Sequence, residues 1–230
     1  MTHTLTLSGW TQPVEALLPI APGAATFDFS AYASVEDSFD SLSIFRDVPN
    51  VVAWSMGAQL TLRAIAAGVL RPRHVTLIGA PYRFVSTEKP DGISEQTFSQ
   101  FRDNYASDAA RTKDRFHALV AKGDDDMRRI VAGLSHHPEV ENTARFLPWL
   151  DDLGRFDAAT LDLANMPPTL IIHGMNDHIV PHAQAVLLQR RLPNAQLNSW
   201  AGTAHAPHVK DAARVRAEIE AHRSALGLAA

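Results

Sequence analysis

The sequence predicts an α/β protein with a mostly parallel central sheet flanked by helices, and three observations lead there. Short β-rich apolar segments alternate with stretches of helical periodicity. Each such segment is followed by Gly, Ser or Ala, as where a strand gives way to a turn. The length of 230 residues, with 46% hydrophobic and 20% charged side chains, suits one sizeable core and excludes a disordered or fibrous chain.

In chain order, the strand candidates are Thr4 to Leu7, Val51 to Trp54, Val75 to Ile78, Thr169 to His173 and Ala195 to Trp200. Gly57 to Leu70 lies between the second and third, with Leu60, Ala64 and Ala67 on helical spacing and Gly68 near its end. Pro181 to Leu192 reads as a further helix, with Ala185, Leu188 and Leu192 as its apolar stripe, and a last helix is expected from about Lys210 to Leu226. The stretch from 86 to 165 breaks the alternation. It shows helical patterns (Phe98, Phe101, Tyr105; Phe116, Leu119, Val120; Leu147, Leu150, Leu153) and no clear strand, so the chain is divided into a core of 1–85 and 166–230 with a helical lid between. Asp124 to Asp126 most simply caps the helix expected near Met127, and His136-His137 reads as exposed loop.

Composition narrows function. With 25 acids against 21 bases the net charge is −4, which gives no reason to expect nucleic acid or an anionic membrane as partner. The absence of cysteine excludes disulfides, thiolate metal sites and a thiol nucleophile. The start MTHTLTLSGW has no secretory pattern, and no apolar run is long enough to span a bilayer, so a cytoplasmic monomer without cofactor or metal is expected.

Ligands of parallel sheets bind at the carboxyl ends of strands, so the loops there carry the search. Val51-Val52-Ala53-Trp54-Ser55-Met56-Gly57 is nearly G-x-S-x-G, the turn that presents a serine nucleophile between strand and helix, with Ala53 in place of the first glycine. A serine N-cap is the plain alternative. A serine hydroxyl needs a base, and the base a carboxylate. Asp177 follows the strand ending at His173, in Gly174-Met175-Asn176-Asp177-His178, and His205 lies in Gly202-Thr203-Ala204-His205-Ala206-Pro207 before the last helix. Asp177 could equally cap a turn. His173, His178, His182 and His208 crowd the same region, which raises a metal cluster, but Pro181 obstructs one helix across His178 and His182. Oxyanion donors are expected from the backbone amides of Met56 and of Trp10, in Ser8-Gly9-Trp10 after the first strand.

In these features the chain resembles the α/β-hydrolase superfamily over nearly its whole length, and more narrowly the pimeloyl-acyl-carrier-protein methyl ester esterases of biotin synthesis. Gly9-Trp10, Trp54-Ser55-Met56-Gly57, Ala204-His205-Ala206-Pro207 and Arg111-Thr112-Lys113-Asp114-Arg115-Phe116 carry the likeness. The resemblance implies the triad Ser55, Asp177 and His205, and oxyanion donors Trp10 and Met56. It also implies acyl-chain contacts from Trp10 and Phe116. Its partner is an acyl carrier protein bearing a methyl-esterified acyl chain, met by Arg111 and Arg115, with Arg128 and Arg129 extending the patch. Relatives usually carry a hairpin first, so a trimmed N-terminus and smaller sheet are implied. The segment 86–165 holds 10 bases against 15 acids, so only a clustered face would attract an acidic carrier. A general short-chain esterase or thioesterase, an acyltransferase and a catalytically idle binding protein remain the competing readings.

Overall fold

The computed structural model describes residues 3–87, 92–134 and 143–228. Six strands form one sheet: β1 (Thr4–Leu7), β2 (Ala25–Thr26), β3 (Asn50–Trp54), β4 (His74–Ile78), β5 (Thr169–Gly174) and β6 (Ala195–Trp200), in the order β2-β1-β3-β4-β5-β6. Every pairing is parallel, with Leu7 opposite Ala53, Ala53 opposite Leu77, Leu77 opposite Ile171 and Ile171 opposite Leu197. All residues of β3, β4 and β5 are buried. Successive side chains of a strand point to opposite faces, so burial at every position means that both faces are covered. That is why these strands read as continuous apolar runs rather than alternating ones.

The strands expected from sequence form within a residue of their predicted bounds. The two-residue β2 does not appear among them, because two residues carry no periodicity. The helix α1 (Val35–Leu42) is also absent from the sequence reading, although Ser34 Oγ accepts the Asp37 amide at 3.1 Å as an N-cap. α2 (Met56–Ala66) follows β3 and packs on β1 and β3. It stops four residues before the expected Leu70, because Gly68 takes φ 69° and lets the Val69 amide turn back to Ala64 O at 2.8 Å.

Between β4 and β5 run α3 (Glu95–Ser107), α4 (Ala109–Ala121), α5 (Met127–Leu134) and α6 (Thr143–Arg155). α4 packs on α3 and α5, and α3 on α6. Phe98, Tyr105, Val120, Leu150 and Leu153 are buried as their spacing predicts, but Leu119 is 36% exposed and does not belong to the stripe. His136-His137 lies outside the described residues. α7 (His182–Arg191) packs on β5 and β6. The expected last helix forms as α9 (Ala212–Ala225), within two residues of its predicted bounds; a short α8 (Pro207–Lys210) precedes it, and between them Asp211 leaves helical geometry and caps the Arg214 amide at 2.9 Å. Among the described residues no helix is long and apolar enough to cross a membrane.

Candidate active site

Ser55 stands alone between β3 and α2, with φ 52° and ψ −109°. A β-carbon disfavours positive φ, and among the described non-glycine residues only Thr11 shares it. The surroundings hold the strain in place. The Ser55 amide donates to Ile78 O at 2.9 Å, and the Gly57 amide donates to Ser8 O at 2.9 Å. A β-carbon on Gly57 would fall 2.2 Å from Leu7 O, so α2 starts too close to β1 for anything but glycine. Ala53, fully buried in β3, finds room for its methyl group. The Ser55 side chain makes no cap hydrogen bond, so the N-cap alternative does not describe it.

Asp177 and His205, 28 residues apart, meet at the ends of β5 and β6: His205 Nδ1 donates to Asp177 Oδ2 at 2.6 Å. The carboxylate's other oxygen accepts the Ile179 and Val180 amides, both at 2.8 Å, so Asp177 also caps its turn. Burial alone would raise its pKa, but His205, His173 and the Val180 amide together hold it below the ordinary carboxylate value, so it is ionised. With Nδ1 committed, His205 presents Nε2 as its second nitrogen; this atom is buried and has no hydrogen-bond partner among the described residues.

Serine and imidazole converge at one turn. Ile78 O takes the Ser55 amide, and a β-carbon on the next residue, Gly79, would lie 3.0 Å from His205 Cε1. Trp54, the residue before the serine, donates its indole N–H to His205 O at 3.0 Å. Gly174 is needed for the same convergence, since its β-carbon would stand 2.1 Å from Ala204 O.

The oxyanion candidates sit on either side of the elbow. Neither Trp10 nor Met56 donates its amide hydrogen to a backbone acceptor among the described residues. The Trp10 ring is buried, bonds Phe146 O through Nε1 at 3.0 Å, and packs on Phe101, Tyr105 and Phe116 with centroids 5.6, 4.6 and 5.2 Å away. Phe116 therefore does lie beside Trp10. Burial pushes the Tyr105 phenol up to about 12. Arg111 and Arg115 are exposed one turn apart on α4 and, like Arg128 on α5, form no ion pair among the described residues; Arg129 pairs with Asp126 at 3.5 Å.

The histidine crowd resolves into separate tasks. His173 donates Nε2 to Val180 O at 2.8 Å and stands 3.3 Å from Asp177 Oδ2, with its pKa lowered chiefly by burial. His182 bonds Ser199 Oγ at 2.7 Å, and His178 stays in the preceding loop. His208 packs against the Trp54 ring at 4.3 Å. Among the described residues no three side chains gather as metal ligands. The acidic run does more than lead into α5: Asp124 turns inward, accepting the amide of Asp126, just before the helix, at 2.9 Å and, from across the fold, the Ala204 amide at 2.8 Å. Its part in the site was not visible in the sequence.

A parallel sheet with a strained serine elbow and a buried Asp–His pair at its carboxyl edge is the architecture of the α/β hydrolases. The chain belongs to that family, whose pattern it matches over residues 3–218. Among curated proteins it is 31% identical to the pimeloyl-[acyl-carrier protein] methyl ester esterase of Nitrosomonas europaea, over 69% of this chain and 64% of that one. The same-named proteins of Xanthomonas campestris pv. campestris and Aromatoleum aromaticum are 31% and 32% identical, over 76% and 71% of this chain and 70% of each relative. The fold is shared with a bromoperoxidase from Bacillus anthracis (TM-score 0.74, 19% identity, 99% of this chain and 92% of that chain). It is shared too with the esterase RhEst1 from Rhodococcus sp. ECU1013 (TM-score 0.70, 18% identity, 98% and 91%).

Proposed function

We propose that this protein is a serine carboxylesterase that removes the methyl group from pimeloyl-acyl-carrier-protein methyl ester, a step of biotin biosynthesis, in the cytoplasm. The observation that carries the esterase reading is the 2.6 Å bond from His205 Nδ1 to a buried Asp177, which leaves Nε2 without a partner among the described residues, beside the serine elbow. The substrate rests on the named relatives. Ser55 Oγ attacks the ester carbonyl while His205 Nε2 takes its proton. The amides of Trp10 and Met56 receive the negative charge that develops on the carbonyl oxygen. His205 then returns the proton to the leaving methoxide, and methanol departs. A water, deprotonated by the same nitrogen, cleaves the acyl-enzyme and frees the distal acid, still on its carrier. Asp177 holds the imidazole in the tautomer this cycle needs and stabilises the imidazolium.

In this reading residues 86–165 form a lid over a core of 1–85 and 166–230. Phe116 and Trp10 line the acyl path, and the guanidiniums of Arg111, Arg115 and Arg128, exposed on α4 and α5, meet the carrier's acidic surface together with Arg129. The test is hydrolysis of pimeloyl-carrier-protein methyl ester and of p-nitrophenyl esters by the native protein, Ser55→Ala and Arg111→Glu/Arg115→Glu. Activity on both substrates that vanishes in Ser55→Ala, with the double arginine variant losing only the carrier ester, is the expected result. Equal loss on both substrates, or none, removes the carrier-protein role; cleavage of simple esters alone leaves a general esterase.

A further inference from the structure

The end of α4 and the α4–α5 connection brace the loops that carry Asp177 and His205. Val120 O accepts the His205 amide at 3.1 Å, the Asp125 amide donates to Gly202 O at 3.1 Å, and Asn176 Nδ2 donates to Gly123 O at 2.7 Å. One residue of this connection differs from the rest in using a buried charge. The Asp124 carboxylate is wholly shielded from solvent; one oxygen accepts the Ala204 amide at 2.8 Å, the other accepts the Asp126 amide and lies 3.0 Å from Lys210 Nζ. Lys210, the last residue of α8, also donates to Gly202 O. The residue immediately before the base is thus gripped by a carboxylate 80 residues upstream, and the lysine that neutralises it belongs to the helix that follows the base.

We propose that Asp124 is a positioning residue for His205, setting the imidazole against Asp177 and Ser55 through its bond to the Ala204 amide, with Lys210 as counter-ion. Three considerations carry this. A buried carboxylate is costly unless paired and fully hydrogen-bonded, and Asp124 has its partners only in this arrangement. A charge-assisted bond to a backbone N–H is stronger and shorter than a neutral one, so it fixes a loop more tightly than the amide bonds nearby. The loop it fixes has no strand or helix of its own between Trp200 and Pro207. The helix that leads into Asp124 also reaches the oxyanion loop, through Phe116 on Trp10 and His117 Nε2 within 3.1 Å of Gln12 Nε2. One segment therefore touches the supports of both the base and the oxyanion donors.

The inference rests on the catalytic role proposed for His205, and the experiment separates the two. Asp124→Ala removes the acceptor of the Ala204 amide, whereas Asp124→Asn keeps an oxygen for it; both take away the buried charge 3.0 Å from Lys210 and leave the lysine Asp125 Oδ2 at 3.8 Å. A displacement of the base on the ångström scale costs about 10²-fold in rate. The expectation for Asp124→Ala is a loss of kcat on a p-nitrophenyl ester of that order with KM little changed, and for Asp124→Asn recovery of most of it. The proton shared by His205 Nδ1 and Asp177 across 2.6 Å gives a far-downfield ¹H NMR signal, which shifts or broadens in Asp124→Ala and holds in Asp124→Asn. Should Asp124→Ala not fold, Asp124→Ala/Lys210→Met removes both charges and is read in the same way. A folded variant with wild-type kcat and an unmoved signal overturns the proposal, as does a loss confined to KM or one equal in both Asp124 variants. A His205→Ala control that keeps its activity instead overturns the catalytic reading, and the NMR signal alone then decides whether Asp124 sets the imidazole.

Discussion

Replacing His208 by phenylalanine should flatten the acid side of the stability curve by an amount the structure fixes. His208 is 3% exposed, lies 4.3 Å from the Trp54 ring, and neither ring nitrogen has a hydrogen-bond partner among the described residues. Burial first, and the neighbouring His205 second, push its pKa from 6.5 down to about 3. The folded state therefore refuses a proton that the unfolded chain accepts below 6.5, and stability is full above that value and falls with pH until about 3. At about pH 5 the unfolded imidazole is some 1.5 units into protonation, a loss of about 2 kcal/mol relative to about pH 7.5. The phenylalanine ring keeps the contact with Trp54 but cannot take up a proton, and its packing cost is the same at both pH values and cancels. Urea unfolding followed by tryptophan fluorescence reads the difference: for an m value of about 2 kcal/mol/M, the native midpoint should fall roughly 1 M further than the variant's. His74, lowered to about 4, together with His173 and His222, gives both proteins a further acid loss of the same sign. Parallel losses in the two proteins would refute the reasoning, since they would mean that His208 exchanges protons freely in the fold.

Two further substitutions probe the site. Asp177→Asn keeps the shape of the side chain but favours the wrong tautomer of His205, so kcat on a simple ester should drop by about 10⁴ with KM held; a loss under tenfold would count against Asp177 as the orienting acid. Gly57→Ala puts a β-carbon 2.2 Å from Leu7 O, and the start of α2 must move. A destabilisation of about 3 kcal/mol, seen as a fall of roughly 10 °C in Tm, is expected, and an unchanged Tm would show that the contact relaxes freely.

The parts of this fold that were legible in the sequence are those whose causes are local. β3, β4 and β5 are buried on both faces, so their apolar runs are unbroken, and Ser55, Asp177 and His205 each stand a few residues past a strand end where small residues mark the turn. β2 fails that test, because it forms only by pairing Ala25 and Thr26 with Leu5 and Thr6 and has no pattern of its own. α8 likewise has no pattern of its own, since its four residues make about one turn before Asp211 caps Arg214 and starts α9. Asp124 is the clearest case. Its place before Met127 suggests a helix cap, and what gives it a further task is an amide 80 residues away and a lysine on α8, neither of which leaves a trace in local spacing. The strain at Ser55 lies between: the small neighbours announce a tight turn, but the positive φ itself follows from Ser8, Ile78 and Leu7 closing around it.

The embrace of Gly202, Ala204 and His205 by residues 120–125 bears on how chimeras of this protein should be cut. Exchanging the helices between β4 and β5 for those of a relative is the obvious way to redirect such a scaffold to new acyl groups. An exchange ending after residue 126 would replace the acceptors of the Ala204 and His205 amides together with the Phe116 ring packed on Trp10, and confound the effects of the two changes. A graft boundary inside α4 between Phe116 and Val120 would keep the host's own anchors and change only the surface beyond them.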